Sequence, residues 1–161
     1  MTTALLDRIR QNNFKALAGT SLHFKIPLTR AFINWNAKQA LPDKIESIKI
    51  QSIQGRIIMV NIETTIPLLP VFDITLELYE KVRLPQLAVS MKIVDGLGWL
   101  ARSVVDKFLP AGIDLHDKVL TIDLRHFLSG NKKYGTLLDK ITFAQWAGAT
   151  DKLLLELELR F

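Results

Sequence analysis

The side chains of this chain best suited to chemistry are its three histidines, His23, His116 and His126, and the acids near two of them. Asp114, His116, Asp117, Asp123 and His126 together offer nitrogen and oxygen donors for a metal, or an acid–base pair for proton transfer. Their spacing matches no zinc motif, and aspartate is common in turns and at strand ends for reasons of its own. His23 falls on the polar side of a short alternating segment and reads as a surface residue. Asp73 with Glu77, and Glu156 with Glu158, are separated by even steps along alternating segments, the pattern of a solvated sheet face. The chain has no cysteine, which removes thiolate ligands, disulfides and a Cys–His nucleophile. It has no GxSxG and no P-loop. Gly96-Leu97-Gly98 lacks both the third glycine and the βαβ setting of a dinucleotide site. The expectation is a protein without catalytic residues, bound metal or cofactor.

The composition directs attention to surfaces. Of 161 residues, 48% are hydrophobic and 23% charged, which argues against disorder. No apolar run approaches the roughly 20 residues of a membrane-spanning helix. The N-terminal stretch is interrupted by Asp7, Arg8 and Arg10 and does not resemble a secretory signal. A cytoplasmic location is expected, or a periplasmic one if a signal has been removed. The net charge of +5 is uneven: residues 1–56 hold nine Lys/Arg against three Asp/Glu, and residues 57–161 hold twelve against thirteen. Such asymmetry favours an anionic partner: a membrane surface, nucleic acid or an acidic protein. The basic residues are scattered singly and no nucleic-acid-binding signature accompanies them, so nucleic acid is not the expected partner.

One domain is expected over residues 1–161, with an amphipathic helix at 1–19 and a helix-wrapped antiparallel sheet at 20–161. Leu22, Phe24 and Ile26 alternate with polar neighbours and predict a strand ended by Pro27. Thr29 can cap a helix through about Leu41 with Phe32, Ile33, Asn36, Ala37 and Ala40 inward and Trp35 on the flank. Strands follow around Ile48–Ile50, Ile58–Ile62, Phe72–Leu78 and Leu87–Ile93, with an apolar loop at Ile66–Pro70. Asp95 can cap a second major helix with Leu97, Leu100, Ala101, Val104 and Phe108 on one side and Trp99 on the other, ended by Pro110 and Gly112. Strands at Leu120–Leu124 and Ile141–Gly148 lead to Leu153–Phe161, the strongest strand signal in the chain. The expected fold class is α+β, a strongly curved antiparallel sheet wrapped around one or two long helices.

The early strand–helix pair LHFKIPLTRAFINWNAKQALP and the later unit VDGLGWLARSVVDKFLPAGIDLHDKVLTIDL give an element order that resembles the tubular lipid-binding (TULIP) superfamily, small bacterial type. The resemblance implies a sheet rolled around a long helix, with a lipid or other long apolar molecule between them, and it brings no catalytic residues. The helix facing the sheet either closes into a packed core or leaves a groove. Phe32, Ile33, Leu100, Val104 and Phe108, with Leu76 and Val89 across from them, are the candidate lining. Membrane docking through the basic N-terminal third fits that reading. The alternative is a non-catalytic interaction or scaffold module that meets its partner through Trp99 with Leu68 and Leu69.

Overall fold

The structure is a computed structural model that describes residues 15–38, 41, 43–67, 70–96, 98, 109, 111–129 and 135–161. A 3₁₀ turn at Lys15–Leu17 leads through Gly19, at φ +82°, into β1 (Ser21–Thr29). The chain then forms α1 (Arg30–Ala37), β2 (Ile45–Gln54), β3 (Ile57–Thr64), β4 (Val71–Leu78) and β5 (Ala88–Asp95). Next come β6 (Ile113–His116), β7 (Val119–Asp123), α2 (Leu124–Ser129), α3 (Gly135–Leu138), β8 (Ile141–Ala149) and β9 (Lys152–Arg160). They build two antiparallel sheets: three strands in the order β1-β9-β8, and six in the order β2-β3-β4-β5-β7-β6.

Alternation sets the inner face. Ile58 and Val60, Ile74, Leu76 and Leu78, and Val89, Met91 and Ile93 are buried on adjacent strands, while residues alternating with them, such as Met59, Asp73 and Lys92, are exposed. On the outer face Asn61 donates to the Asp73 carboxylate at 2.8 Å and Gln51 donates to the same oxygen at 3.2 Å. Arg56 lies 3.3 Å from Glu77. The β6–β7 hairpin turns on Asp117 and Lys118, both at positive φ, as a type I′ turn requires.

The sheets meet where β8 crosses the β2–β3 turn. A side chain on Gly148 would overlap the Gly55 carbonyl, so glycine is what allows the two backbones to approach. Asp151 donates its amide to Ile53 at 3.0 Å nearby. Ile53, Leu78, Leu138, Ala144, Trp146 and Leu153 belong to one buried cluster that spans both sheets.

The α+β class stands, but the expected architecture is corrected. The sheets are flat and not rolled into a tube, and among the described residues the helices are short, the longest having eight residues. The resemblance to the tubular lipid-binding superfamily is therefore not upheld. Alternation fixes which face of a strand is buried. It does not fix curl, which depends on how strands pair at a distance. Here β1 pairs with β9 at the far end of the chain, because α1 lies between β1 and β2 and carries the chain into the second sheet.

Smaller corrections have local causes. β1 does not stop at Pro27 but runs to Thr29, because Pro27 sits on an edge strand that needs no outward N–H there. Thr29 does cap α1, accepting the Phe32 amide at 3.2 Å. Leu124 opens a helix instead of ending a strand, since Asp123 caps it by accepting the His126 amide at 3.0 Å. β6 has only four residues, too few for alternation to declare it. Of the helix predicted over 1–19, residues 1–14 lie outside the described residues and Lys15–Leu17 form the 3₁₀ turn; of the second major helix, predicted over Gly96–Leu109, residues 97 and 99–108 lie outside them.

Candidate interaction surface

The three-stranded sheet carries one apolar face. Leu22, Phe24, Ile26 and Leu28 on β1 stand opposite Leu159, Leu157, Leu155 and Leu153 on β9. Ala144 and Trp146 on β8 continue the rows beyond Leu157 and Leu155. Burial falls across this face. Ala144 and Trp146 are buried and Leu155 and Leu157 half-buried, yet Leu22, Phe24 and Ile26 are 36%, 43% and 38% exposed. The core thus ends at β9, and its apolar surface runs on to a strand at the sheet's edge. Three neighbouring large apolar side chains in that position form a patch, unlike singly scattered ones.

The opposite face of β1 is polar. Lys25 is paired in register with Glu156, at 2.9 Å, and His23 stands opposite Glu158. The backbone of β1 has a definite polarity as well. Phe161 donates to Thr20 and Arg30 donates to Asp151, so even-numbered positions carry the bonds toward β9. Antiparallel alternation then points the amides and carbonyls of Ser21, His23 and Lys25 away from the sheet. Pro27 falls on the outward set, where its missing N–H costs the ladder nothing.

α1 follows directly and adds Phe32 and Trp35, 55% and 57% exposed. Its inward contact is made by a residue that periodicity did not single out. Asn34 donates to the Ile50 carbonyl at 3.0 Å and accepts the Ile50 amide at 2.7 Å, standing where another strand would pair with β2. Arg30 reaches the Gln51 carbonyl beside it. Asn34→Ala would strip both partners from a half-buried backbone unit. A loss of about 1–3 kcal/mol is expected. Calorimetry would read that loss, and hydrogen exchange would read faster exchange at the Ile50 amide.

Among the described residues, those expected to line a lipid groove do not come together as one. Leu76 and Val89 are buried in the core of the six-stranded sheet. Ile33 is half-buried against that core, and Phe32 is exposed rather than inward. Leu100, Val104 and Phe108, and the expected partner surface Trp99, Leu68 and Leu69, lie outside the described residues, as do Ala40 and the side chains of Asn36 and Ala37. The expectations of a lipid or hydrophobic small-molecule ligand in an apolar cavity, and of docking at an anionic membrane surface, are corrected. A flat sheet whose apolar face is a packed core offers no tunnel for an acyl chain.

The Asp114–His126 group is also dispersed. His116 lies 3.1 Å from Asp117 on an exposed turn, Asp123 is spent on its helix cap, and Asp114 is exposed. Among the described residues no group of acids and histidines could hold a metal ion. No helix there is long and apolar enough to cross a membrane. Compared with the models of known protein families and with curated proteins, the chain matches none.

Proposed function

We propose that this protein is a non-catalytic interaction module that holds another protein against the β1 edge of its smaller sheet. The observation that carries this reading is the exposed row Leu22, Phe24 and Ile26, continuous with the core on one side and bounded on the other by a strand edge that is unpaired among the described residues. Exposed contiguous apolar surface on a folded chain marks contact sites, and an aromatic at the middle of such a row is the usual energetic anchor. The polar residues that could have served chemistry support a structural role instead. Asp73 binds Asn61 and Gln51, Glu77 pairs with Arg56, and Glu156 pairs with Lys25. A reducing compartment such as the cytoplasm suits a chain with no cysteine.

The test is a comparison of the wild-type protein with Phe24→Thr, which removes the aromatic and puts in its place a β-branched residue that suits a strand. Proteins recovered with each are identified and quantified by mass spectrometry, and thermal midpoints are measured alongside. At least one bound protein should fall about tenfold or more with Phe24→Thr, as loss of an aromatic anchor implies. The midpoint should shift by no more than about 4 °C, since the site lies at the core's margin. Equal recovery with both proteins overturns the reading.

A further inference from the structure

Two sheets have four outer strands, and among the described residues three of those edges are closed or too short to use. β2 is covered by α1, through Asn34 and Arg30 on the backbone of Ile50 and Gln51. β8 is covered by the segment after β4, with Trp146 donating to Glu80 at 2.7 Å and Val82 donating to Ala144 at 3.3 Å. β6 has four residues. β1 has nine, nearly all exposed, and pairs on one side only. Proteins ordinarily blunt such an edge, because its free amides and carbonyls template pairing with another chain.

The sequence of β1 states what pairs with it. Its inner neighbour β9 reads Leu-Glu-Leu-Glu-Leu over Leu155–Leu159, placing leucine opposite Leu22, Phe24 and Ile26 and glutamate opposite His23 and Lys25. Side chains of an edge strand stand beside whatever lies on either flank. The outer flank of β1 therefore presents the same apolar row and the same two basic residues that β9 already complements. The excess positive charge of residues 1–56 adds attraction for an acidic chain.

We propose that the outer edge of β1 takes up, as an added strand, an extended segment of a partner protein in which apolar and acidic residues alternate. This rests on the interaction reading above and names the chemistry of the partner. The amides and carbonyls of Ser21, His23 and Lys25 supply the ladder. Leu22, Phe24 and Ile26 pack against the apolar residues of the segment, and His23 and Lys25 face its carboxylates. Pro27 has no amide to offer, so the ladder runs over Ser21–Lys25 and no further. A short ladder of this kind gives a reversible contact and limits runaway pairing between copies.

The probes are synthetic peptides added to the intact wild-type protein, which avoids variants that fail to fold. One carries the sequence of β9, residues 152–160. A second replaces its two glutamates with lysine. Two more are N-methylated on alternate residues, one peptide for each phase, so that in one phase the peptide cannot donate to the β1 carbonyls. Binding is read by amide hydrogen exchange resolved by residue. Expected are protection of the Ser21, His23 and Lys25 amides by the first peptide and no further change at Leu22, Phe24 and Ile26, which β9 already holds. Binding should weaken about tenfold or more for the lysine peptide and for one N-methylated phase, as lost charge pairs and lost ladder bonds imply. The proposal is overturned if the first peptide fails to bind at millimolar concentration, binds without protecting those three amides, or is matched by the lysine peptide. If these peptides fail while the Phe24→Thr comparison still identifies a partner, strand addition falls and the interaction reading stands. If that comparison fails, the interaction reading falls by itself.

Discussion

Replacing Gly148 with alanine is expected to lower the thermal midpoint by about 6–12 °C, equivalent to roughly 3 kcal/mol in a chain of this size. The methyl group would overlap the Gly55 carbonyl, with its carbon and the Arg56 nitrogen close behind. These are backbone atoms of a hairpin turn, with no flexible side chain to swing aside. The turn has to move off β8, taking with it the nearby bond from Asp151 to Ile53 and the packing of Ile53, a fully buried side chain of the core. The cost therefore falls on the seam between the two sheets. Gly135→Ala is the control, because a Cβ there meets nothing within 4 Å. It should leave stability unchanged or raise it by about 0.4–1 kcal/mol through the unfolded chain. Calorimetry of the two variants checks both numbers. Equal midpoints would mean the seam is not where the structure puts it.

Trp146→Ala is expected to cost about 3–5 kcal/mol, the range for emptying a large aromatic from a packed interior. Trp146 lies on β8 facing Leu155, in the cluster that joins the sheets. Its indole nitrogen is buried without a hydrogen-bond partner among the described residues. That donor is already a liability, since an unpaired buried polar group carries the full cost of losing water. Trp146→Phe removes it together with some volume, so the two effects oppose each other. A net loss below about 1.5 kcal/mol is expected. Urea denaturation separates the variants by midpoint at unchanged slope. A phenylalanine variant as unstable as the alanine one would show that the indole N–H is satisfied.

The strands were legible because period-two alternation is a local signal. Phe72–Leu78, Leu87–Ile93 and Leu153–Phe161 each declare an apolar face, and the structure buries or half-buries those faces. The cap at Thr29 was legible for the same reason: it needs only a hydroxyl three residues before the amide it accepts. The role of Asn34 was not. A polar residue in a short helix declares nothing until β2 is placed beside it. The candidate site shows the same limit. Phe24 reads as an ordinary strand residue, and its exposure follows from β1 having, among the described residues, one neighbouring strand instead of two.

By itself, the sequence determined the α+β class, the apolar phase of each main strand and the absence of any thiol chemistry. These depend on residue type and on spacing within a few positions. Tertiary structure decided that β1 joins β9 rather than β2, that the strands divide into two flat sheets rather than one roll, and that among the described residues one long edge stays open. Each of those is a pairing between residues distant in the chain, and an alternating strand is equally compatible with many partners until the rest of the fold selects one.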